Sequence, residues 1–374
     1  MNVSSISRYG EVINPEVYGL HAISDPRQDE GAIVVEDLVK SFNGVEILKG
    51  VSLSIRPGDF ATILGPSGSG KTTILRCLAG LEDPDRGRIY LNGKLVFDAE
   101  KGINSPTHRR RLGMIFQNYA LWPHMTVLQH VLFPLKHRGE GKNVEKAREA
   151  LKLVDLTEHA DKFPHQLSGG QQQRVAVARA IVADPKVLLM DEPLSNLDVQ
   201  LRRQLRDELK AAHLRCGATS VFVTHDQAEA FALSDYLIVM RDGKIEQQDI
   251  ASNLRLHPRN VFIAEFLGYE NLISGQDLRR ICSAVEGTVE PGAHYAVGAT
   301  ALRPSDPKDG DCLRIDGCVL DSSSYDGLIH THSFTIGDTR LEVKALEDFY
   351  SASQAGPMSL WLKRSDIIRI EANN

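Results

Sequence analysis

The sequence predicts an α/β domain followed by a small all-β, barrel-like domain. Fully apolar strand-like runs alternate with helix-like stretches between about residues 33 and 250. From about residue 272 the pattern changes to short alternating runs separated by turns rich in Gly, Asp and Ser. Strands that read as continuous apolar runs belong in a mainly parallel sheet covered by helices on both faces. Short, evenly spaced alternating strands belong in a barrel or sandwich. The length of 374 residues suits about two domains.

The elements follow in order. Residues 1–30 are polar without a clear period and read as an N-terminal extension. The first domain then runs over 31–268. IVVEDLVKSF (33–42) and VSLSI (51–55) read as strands, and Pro57-Gly58-Asp59 as the turn after them. FATILG (60–65) is an apolar strand ending in glycine, with a helix expected from Lys71. VLLMD (187–191) and SVFVTH (220–225) are further buried-type strands. Helices are expected over Val144–Leu156, Gln171–Ala183 and Leu201–Leu214. The second domain, 269–374, carries the alternating runs CLRIDGCVL, GLIHTHSFTI, TRLEVKAL, MSLWLK and IIRIEA. In it His330 and His332 share a strand face, but no third ligand stands near them in the sequence. They are therefore not assigned as a metal site.

Composition narrows the function. The net charge of -6 argues against a nucleic-acid binder, which is usually basic. No stretch approaches the ~20 apolar residues of a spanning helix, so work at a membrane would need another subunit. Met1–Gly10 has no apolar segment of the kind a signal peptide carries. The five cysteines form no CxxC pair, as expected for reduced thiols in a cytosolic protein.

Gly65-Pro66-Ser67-Gly68-Ser69-Gly70-Lys71-Thr72 fits G-x-x-x-x-G-K-[ST], between a strand and a helix. Glycines let the backbone curl so that successive N–H groups face phosphate oxygens, and the helix N-terminus adds partial positive charge. Lys71 suits the β- and γ-phosphates, and the Thr72 hydroxyl suits Mg²⁺. The strand VLLMD ends at Asp191 and Glu192. Asp191 suits the Mg²⁺ site, and Glu192 suits a general base that polarises the attacking water. An acidic strand end alone is weak, since strand ends commonly re-enter solvent; the phosphate loop in the same chain gives it weight.

Leu167-Ser168-Gly169-Gly170-Gln171 opens a helix with a natural cap residue and uncovered N–H groups, a second anion site in the same chain. This LSGGQ run resembles the signature of ABC ATPases, a family within the P-loop NTPases whose α/β domain has a mixed sheet and a helical subdomain. In that family two subunits pair head to tail, and each nucleotide lies between one phosphate loop and the other subunit's signature. The resemblance implies an ATP site made of Phe42, the loop from Gly65 to Thr72, Thr73 and Gln117. It implies completion in trans by Ser168, Gly169, Gly170, Gln171 and Asp198. Gln117 (MIFQNYALWPHMTV) looks like the Q-loop glutamine, Ser195–Asp198 like the D-loop, and His225 (VFVTHDQAEA) like the switch histidine. Phe42 stands where the family more often has a tyrosine against adenine, and it lacks that hydroxyl. Catalysis would fall to Glu192, His225 and Lys71, and Mg²⁺ to Thr72, Gln117 and Asp191.

The same resemblance implies partners. Residues 118–138 are apolar and aromatic, interrupted by Pro123 and Pro134; in the family this region receives a coupling helix of a permease subunit. Ala301-Leu302-Arg303-Pro304 and PMSLWLKRSDIIRI resemble the β-rich TOBE extension of importer ATPases of the maltose, polyamine, ferric-iron and sulfate type. The expected protein is thus the motor of a bacterial importer at the cytoplasmic face of the inner membrane. It would work with a second copy, two permeases and, indirectly, a periplasmic or surface substrate-binding protein. Exporter, DNA-repair and translation ATPases of the same family are the alternatives. No sustained heptads and no second phosphate loop occur to favour the last two.

Overall fold

The computed structural model describes residues 31–370, apart from 138, 142, 196–198, 286, 307–310 and 350–355. The N-terminal extension and Asp198 therefore lie outside the described residues. A central six-stranded sheet runs β11-β10-β3-β9-β8-β7. It comprises β3 (Phe60–Leu64), β7 (Leu112–Ile115), β8 (Val187–Asp191), β9 (Thr219–Thr224), β10 (Tyr236–Arg241) and β11 (Lys244–Ile250). All its pairings are parallel except β10 with β11. Every residue of β3, β8 and β9 is buried, which is why these strands read as unbroken apolar runs.

A second, antiparallel sheet orders β2-β1-β4-β5-β6. Its strands are β1 (Ile33–Phe42), β2 (Val45–Ile55), β4 (Arg86–Leu91), β5 (Lys94–Asp98) and β6 (Ile103–Asn104). The expected parallel sheet is thus only part of the domain, because the chain on either side of the phosphate loop folds into its own layer. Asn43 and Gly44 join β1 to β2 with φ of 51° and 80°, the left-handed pair that a two-residue hairpin turn needs.

Helix α1 (Lys71–Ala79) sits between the two sheets, with Ile74, Leu75 and Leu78 fully buried. Helices α2 (Val127–His137), α3 (Val144–Leu153), α4 (Gly169–Ile181) and α5 (Val199–Cys216) pack together on the β7–β8 side. Pro134 does not end α2 but lies inside it. Val131 and Leu135, both fully buried, hold the helix through the missing N–H. The predicted helix over 144–156 stops at Leu153, because Asp155 takes a left-handed φ of 55°.

After α6 (Gln227–Leu233), α7 (Ala251–Leu256) and α8 (Val261–Phe266), the chain turns to antiparallel β structure. Strands β12 (Asn271–Ser274), β13 (His294–Val297) and β18 (Ile368–Ile370) form one sheet, with α9 (Gly275–Ile281) packed beside it. Strands β14 (Cys312–Tyr325), β15 (His330–Ile336), β16 (Thr339–Ala345) and β17 (Met358–Lys363) form a curled sheet in the order β16-β15-β14-β17. Leu64, Leu237 and Val239 of the central sheet share one apolar cluster with Ala296 and Ile370. This cluster fastens the β-rich part to the α/β part. No described helix is long and apolar enough to cross a membrane.

Candidate functional site: a nucleotide cradle

The loop between β3 and α1 is shaped by glycines that another residue could replace only with backbone strain or with movement of a neighbour. Gly68 and Gly70 have φ of 81° and 98°. A Cβ on Gly70 would sit 2.8 Å from Leu48 Cδ2 and 3.1 Å from the Ile47 carbonyl, so β2 lies directly against the loop. A Cβ on Gly65 would lie 2.2 Å from the Met240 carbonyl. The backbone is thereby pressed between β2 and β10 where it enters the N-terminus of α1, an end that favours anions.

Lys71 folds back over this loop and donates to the Gly65 and Pro66 carbonyls, each at 2.8 Å. An ammonium has three protons, so one remains for an anion in the cradle. Burial pushes the Lys71 pKa down, and the charges of Glu192 and Asp191 pull it back up. Ser69 is buried, and its hydroxyl has no hydrogen-bond partner. An unpaired buried hydroxyl in a glycine-rich loop at a helix N-terminus is the counterpart a phosphate oxygen would satisfy.

Thr72 Oγ1 donates to Asp191 Oδ1 at 3.0 Å. The hydroxyl proton is thereby turned toward β8, and the oxygen's lone pairs stay free for a cation. Asp191 is nearly fully buried, and burial raises its pKa while the Thr72 hydrogen bond opposes the rise. The next residue, Glu192, has a left-handed φ of 40°, strained by about 1 kcal/mol for a side chain of this kind. A hydrogen bond from its N–H to the Val223 carbonyl, at 3.1 Å, holds it there. Its Oε2 lies 3.4 Å from His225 Nδ1. Gln117 Nε2 donates to Ser195 Oγ at 3.4 Å, and Ser195 Oγ donates to the Glu192 carbonyl at 3.0 Å. Lys71, Thr72, Asp191, Glu192, His225 and Gln117 thus follow the C-terminal ends of β3, β7, β8 and β9. Binding there follows the general rule for open parallel sheets.

Phe42 ends β1, exposed at 40% of its surface, with Lys40 Nζ 4.9 Å from its ring centre. The hairpin that carries it continues into β2 and reaches Gly70 through Ile47 and Leu48. An exposed aromatic ring beside a phosphate cradle offers a face for a base.

The LSGGQ run caps the N-terminus of α4. Ser168 Oγ accepts from the Gln171 N–H at 3.3 Å, and Gln171 Oε1 accepts from the Ser168 N–H at 3.0 Å, a reciprocal cap on α4. Gln171 also bonds His159 at 3.0 Å. Ser168 and Gly169 are exposed, whereas Gly170 is buried beneath Leu201, whose Cδ atoms would lie 3.0 Å from a Cβ there. The hydrogen bonds of the Ser168 and Gln171 side chains go to each other's backbone N–H and to His159, and the N-terminus of α4 is exposed at Ser168 and Gly169.

Sequence reasoning missed Arg179. In the last turn of α4 it donates to the Ala120 carbonyl at 2.6 Å and to the Tyr119 carbonyl at 2.7 Å. It is largely buried, and burial pushes its pKa down to about 10. Tyr119 and Ala120 both have left-handed φ, so the fork of Arg179 fixes a sharp bend just after Gln117. Trp122 then lies over the guanidinium and against His130 and Phe133, 38% exposed. An arginine within the apolar run RVAVARAI was the available sign, since a charge on a buried helix face needs partners.

Known proteins share this architecture. Residues 48–195 match the family described as ABC transporter. The chain is 44% identical over 283 residues to an "Fe(3+) ions import ATP-binding protein FbpC 1" of Haemophilus influenzae, covering 75% of this chain and 82% of that protein. It is 41% identical over 322 residues to a "Spermidine/putrescine import ATP-binding protein PotA" of Salmonella typhimurium, covering 82% and 81%. Among solved structures, the dimeric post-hydrolysis state of the ATP-binding cassette MJ0796, bound to ADP and Pi, superposes with a TM-score of 0.51 at 33% identity. That match covers 59% of this chain and 98% of that one. With a phosphate cradle, an acidic strand end and a capped LSGGQ helix in one fold, the chain belongs to the ABC transporter family, as an ATP-binding, ATP-hydrolysing subunit of the importer type.

Proposed function

We propose that two copies of this chain bind two ATP molecules head to tail and drive solute import through partner permeases. The observation that carries this reading is the Thr72–Asp191 hydrogen bond at the mouth of the loop, with Glu192 and His225 beside it. Asp191 and Thr72, with Gln117, form an oxygen donor set that fits Mg²⁺. When bound, the ion neutralises charge on the β- and γ-phosphates.

The chain's own groups supply the rest. The loop N–H groups, the Ser69 hydroxyl and the spare Lys71 proton hold the phosphates, and Phe42 stacks on adenine. Glu192 orients and deprotonates the attacking water, and His225 donates to the γ-phosphate as charge develops. Ser168, Gly169, Gly170 and Gln171 of the second copy close on the same phosphate, with Asp198 at the interface. Closure on ATP then moves the Trp122 surface, which receives the permease. The chain works as a peripheral subunit on the cytoplasmic face of the inner membrane, and a substrate-binding protein delivers cargo from outside. Import agrees with both relatives, each an import protein by name.

Steady-state hydrolysis by the purified chain and its Glu192→Gln variant tests the reading. The variant is expected to bind ATP normally and to lose turnover by about 10²-fold or more. Near-normal turnover in the variant would remove Glu192 from the role.

A further inference from the structure

In the C-terminal β domain three potential ligands converge that lie apart in the sequence. His330 and His332 point from the same face of β15, and Asp348 follows β16. One ligand atom from each lies within 4.8 Å of the others. His332 is fully buried, and neither of its ring nitrogens has a hydrogen-bond partner. Its Nε2 is 3.7 Å from Asp348 Oδ1, too long for a hydrogen bond. A buried imidazole with both nitrogens unsatisfied costs folding free energy, and such a group in a native fold calls for a missing partner.

The surroundings fit an ion better than a second side chain. Phe334, on the same strand face, continues into the domain core, and Phe349 packs 4.4 Å from the His332 ring. His330 lies nearer the surface, stacked on Tyr325 at 4.4 Å. The group therefore runs from an apolar floor through His332 to a mouth formed by His330 and Asp348, the last half exposed.

We propose that His330, His332 and Asp348 bind a first-row divalent transition-metal ion of the Zn²⁺ class. Two imidazoles and one carboxylate are the ligand types such ions take, with a fourth position left to water. Ligands at about 2.0–2.2 Å from a tetrahedral ion stand about 3.4 Å apart. Binding would draw the ligand atoms together from the 4.8 Å within which they now lie, with His332 in the core and His330 and Asp348 toward the surface. The site is separate from the nucleotide cradle, and the proposal does not depend on the transport reading.

The experiment uses the full-length chain without a histidine tag, stripped with chelator and kept in excess Mg²⁺ without nucleotide. Zn²⁺ is titrated by calorimetry, and Co²⁺ by its visible absorption. One ion per chain is expected, with strong Co²⁺ bands typical of four-coordination. His330→Ala and Asp348→Asn should each weaken binding by about tenfold or more while ATP turnover without added transition metal stays at the wild-type rate. His332→Phe, which fills the same volume with an apolar ring, should abolish binding and raise the melting temperature of the metal-free chain. No uptake of either ion, or uptake unchanged in both His330→Ala and Asp348→Asn, would overturn the proposal.

Discussion

The guanidinium of Arg179 donates to the Tyr119 carbonyl at 2.7 Å, tying the last turn of the helix capped by Ser168 to the bend after Gln117. One helix therefore carries the exposed LSGGQ end at its start and fixes the Gln117 segment at its finish. The two ends are thus joined by a helix rather than by a loop.

Replacing Arg179 by Met keeps the packing volume and removes both donors. Hydrogen bonds from a charged group contribute about 1.5–3 kcal/mol each, less the cost of burying the charge. A net loss of about 2 kcal/mol is expected, read as a lower melting temperature. ATP affinity should be unchanged, while stimulation of turnover by the permeases falls. A variant with normal melting and normal stimulation would show that the tie transmits nothing.

The phosphate loop offers a paired comparison. Gly68 and Gly70 both have positive φ, so alanine strains either by about 1 kcal/mol. At Gly68 a Cβ meets open space, whereas at Gly70 it meets Leu48 and the Ile47 carbonyl. Gly70→Ala should thus lose more stability and more ATP affinity than Gly68→Ala, measured by thermal melting and by binding of a fluorescent nucleotide. Equal losses would mean that β2 does not press on the loop.

His130 gives a pH dependence. It is fully buried, and its Nε2 accepts from the Trp122 N–H at 2.8 Å, which requires a neutral ring. Burial lowers its pKa, the nearby Arg179 and His124 lower it further, and only the Thr126 carbonyl opposes them. A histidine with a lowered folded pKa binds its proton more readily when unfolded, so stability falls as pH drops below about 6.5 and levels off below the folded pKa. The drop in melting temperature between pH 7.5 and pH 5.5 should be smaller in His130→Asn than in the wild type. An identical drop in both would assign the acid sensitivity to other groups.

What the sequence made legible follows from how narrowly chemistry constrains it. A phosphate loop needs glycine at positions of positive φ and a lysine at the helix start, so Gly68, Gly70 and Lys71 could be read directly. The same holds for β3, β8 and β9, whose complete burial leaves an unbroken apolar run. The apolar run around Arg179 signalled that it needs partners but not which ones, because they are backbone carbonyls some 60 positions away, and carbonyls leave no trace in residue type. Asp348 was missed as the companion of His330 and His332 because β16 intervenes in the chain. Pro134 misled because packing on both sides outweighed its missing donor.

The central claim is that the nucleotide site is complete only between two copies. Sedimentation of the Glu192→Gln chain, with and without ATP and Mg²⁺, tests it when compared with the Glu192→Gln, Ser168→Arg double variant. The exposed Ser168 end of α4 predicts a dimer that forms with ATP in the first protein and fails to form in the second, although both bind nucleotide. ATP-driven dimerisation that is equally strong in the double variant would contradict the shared site.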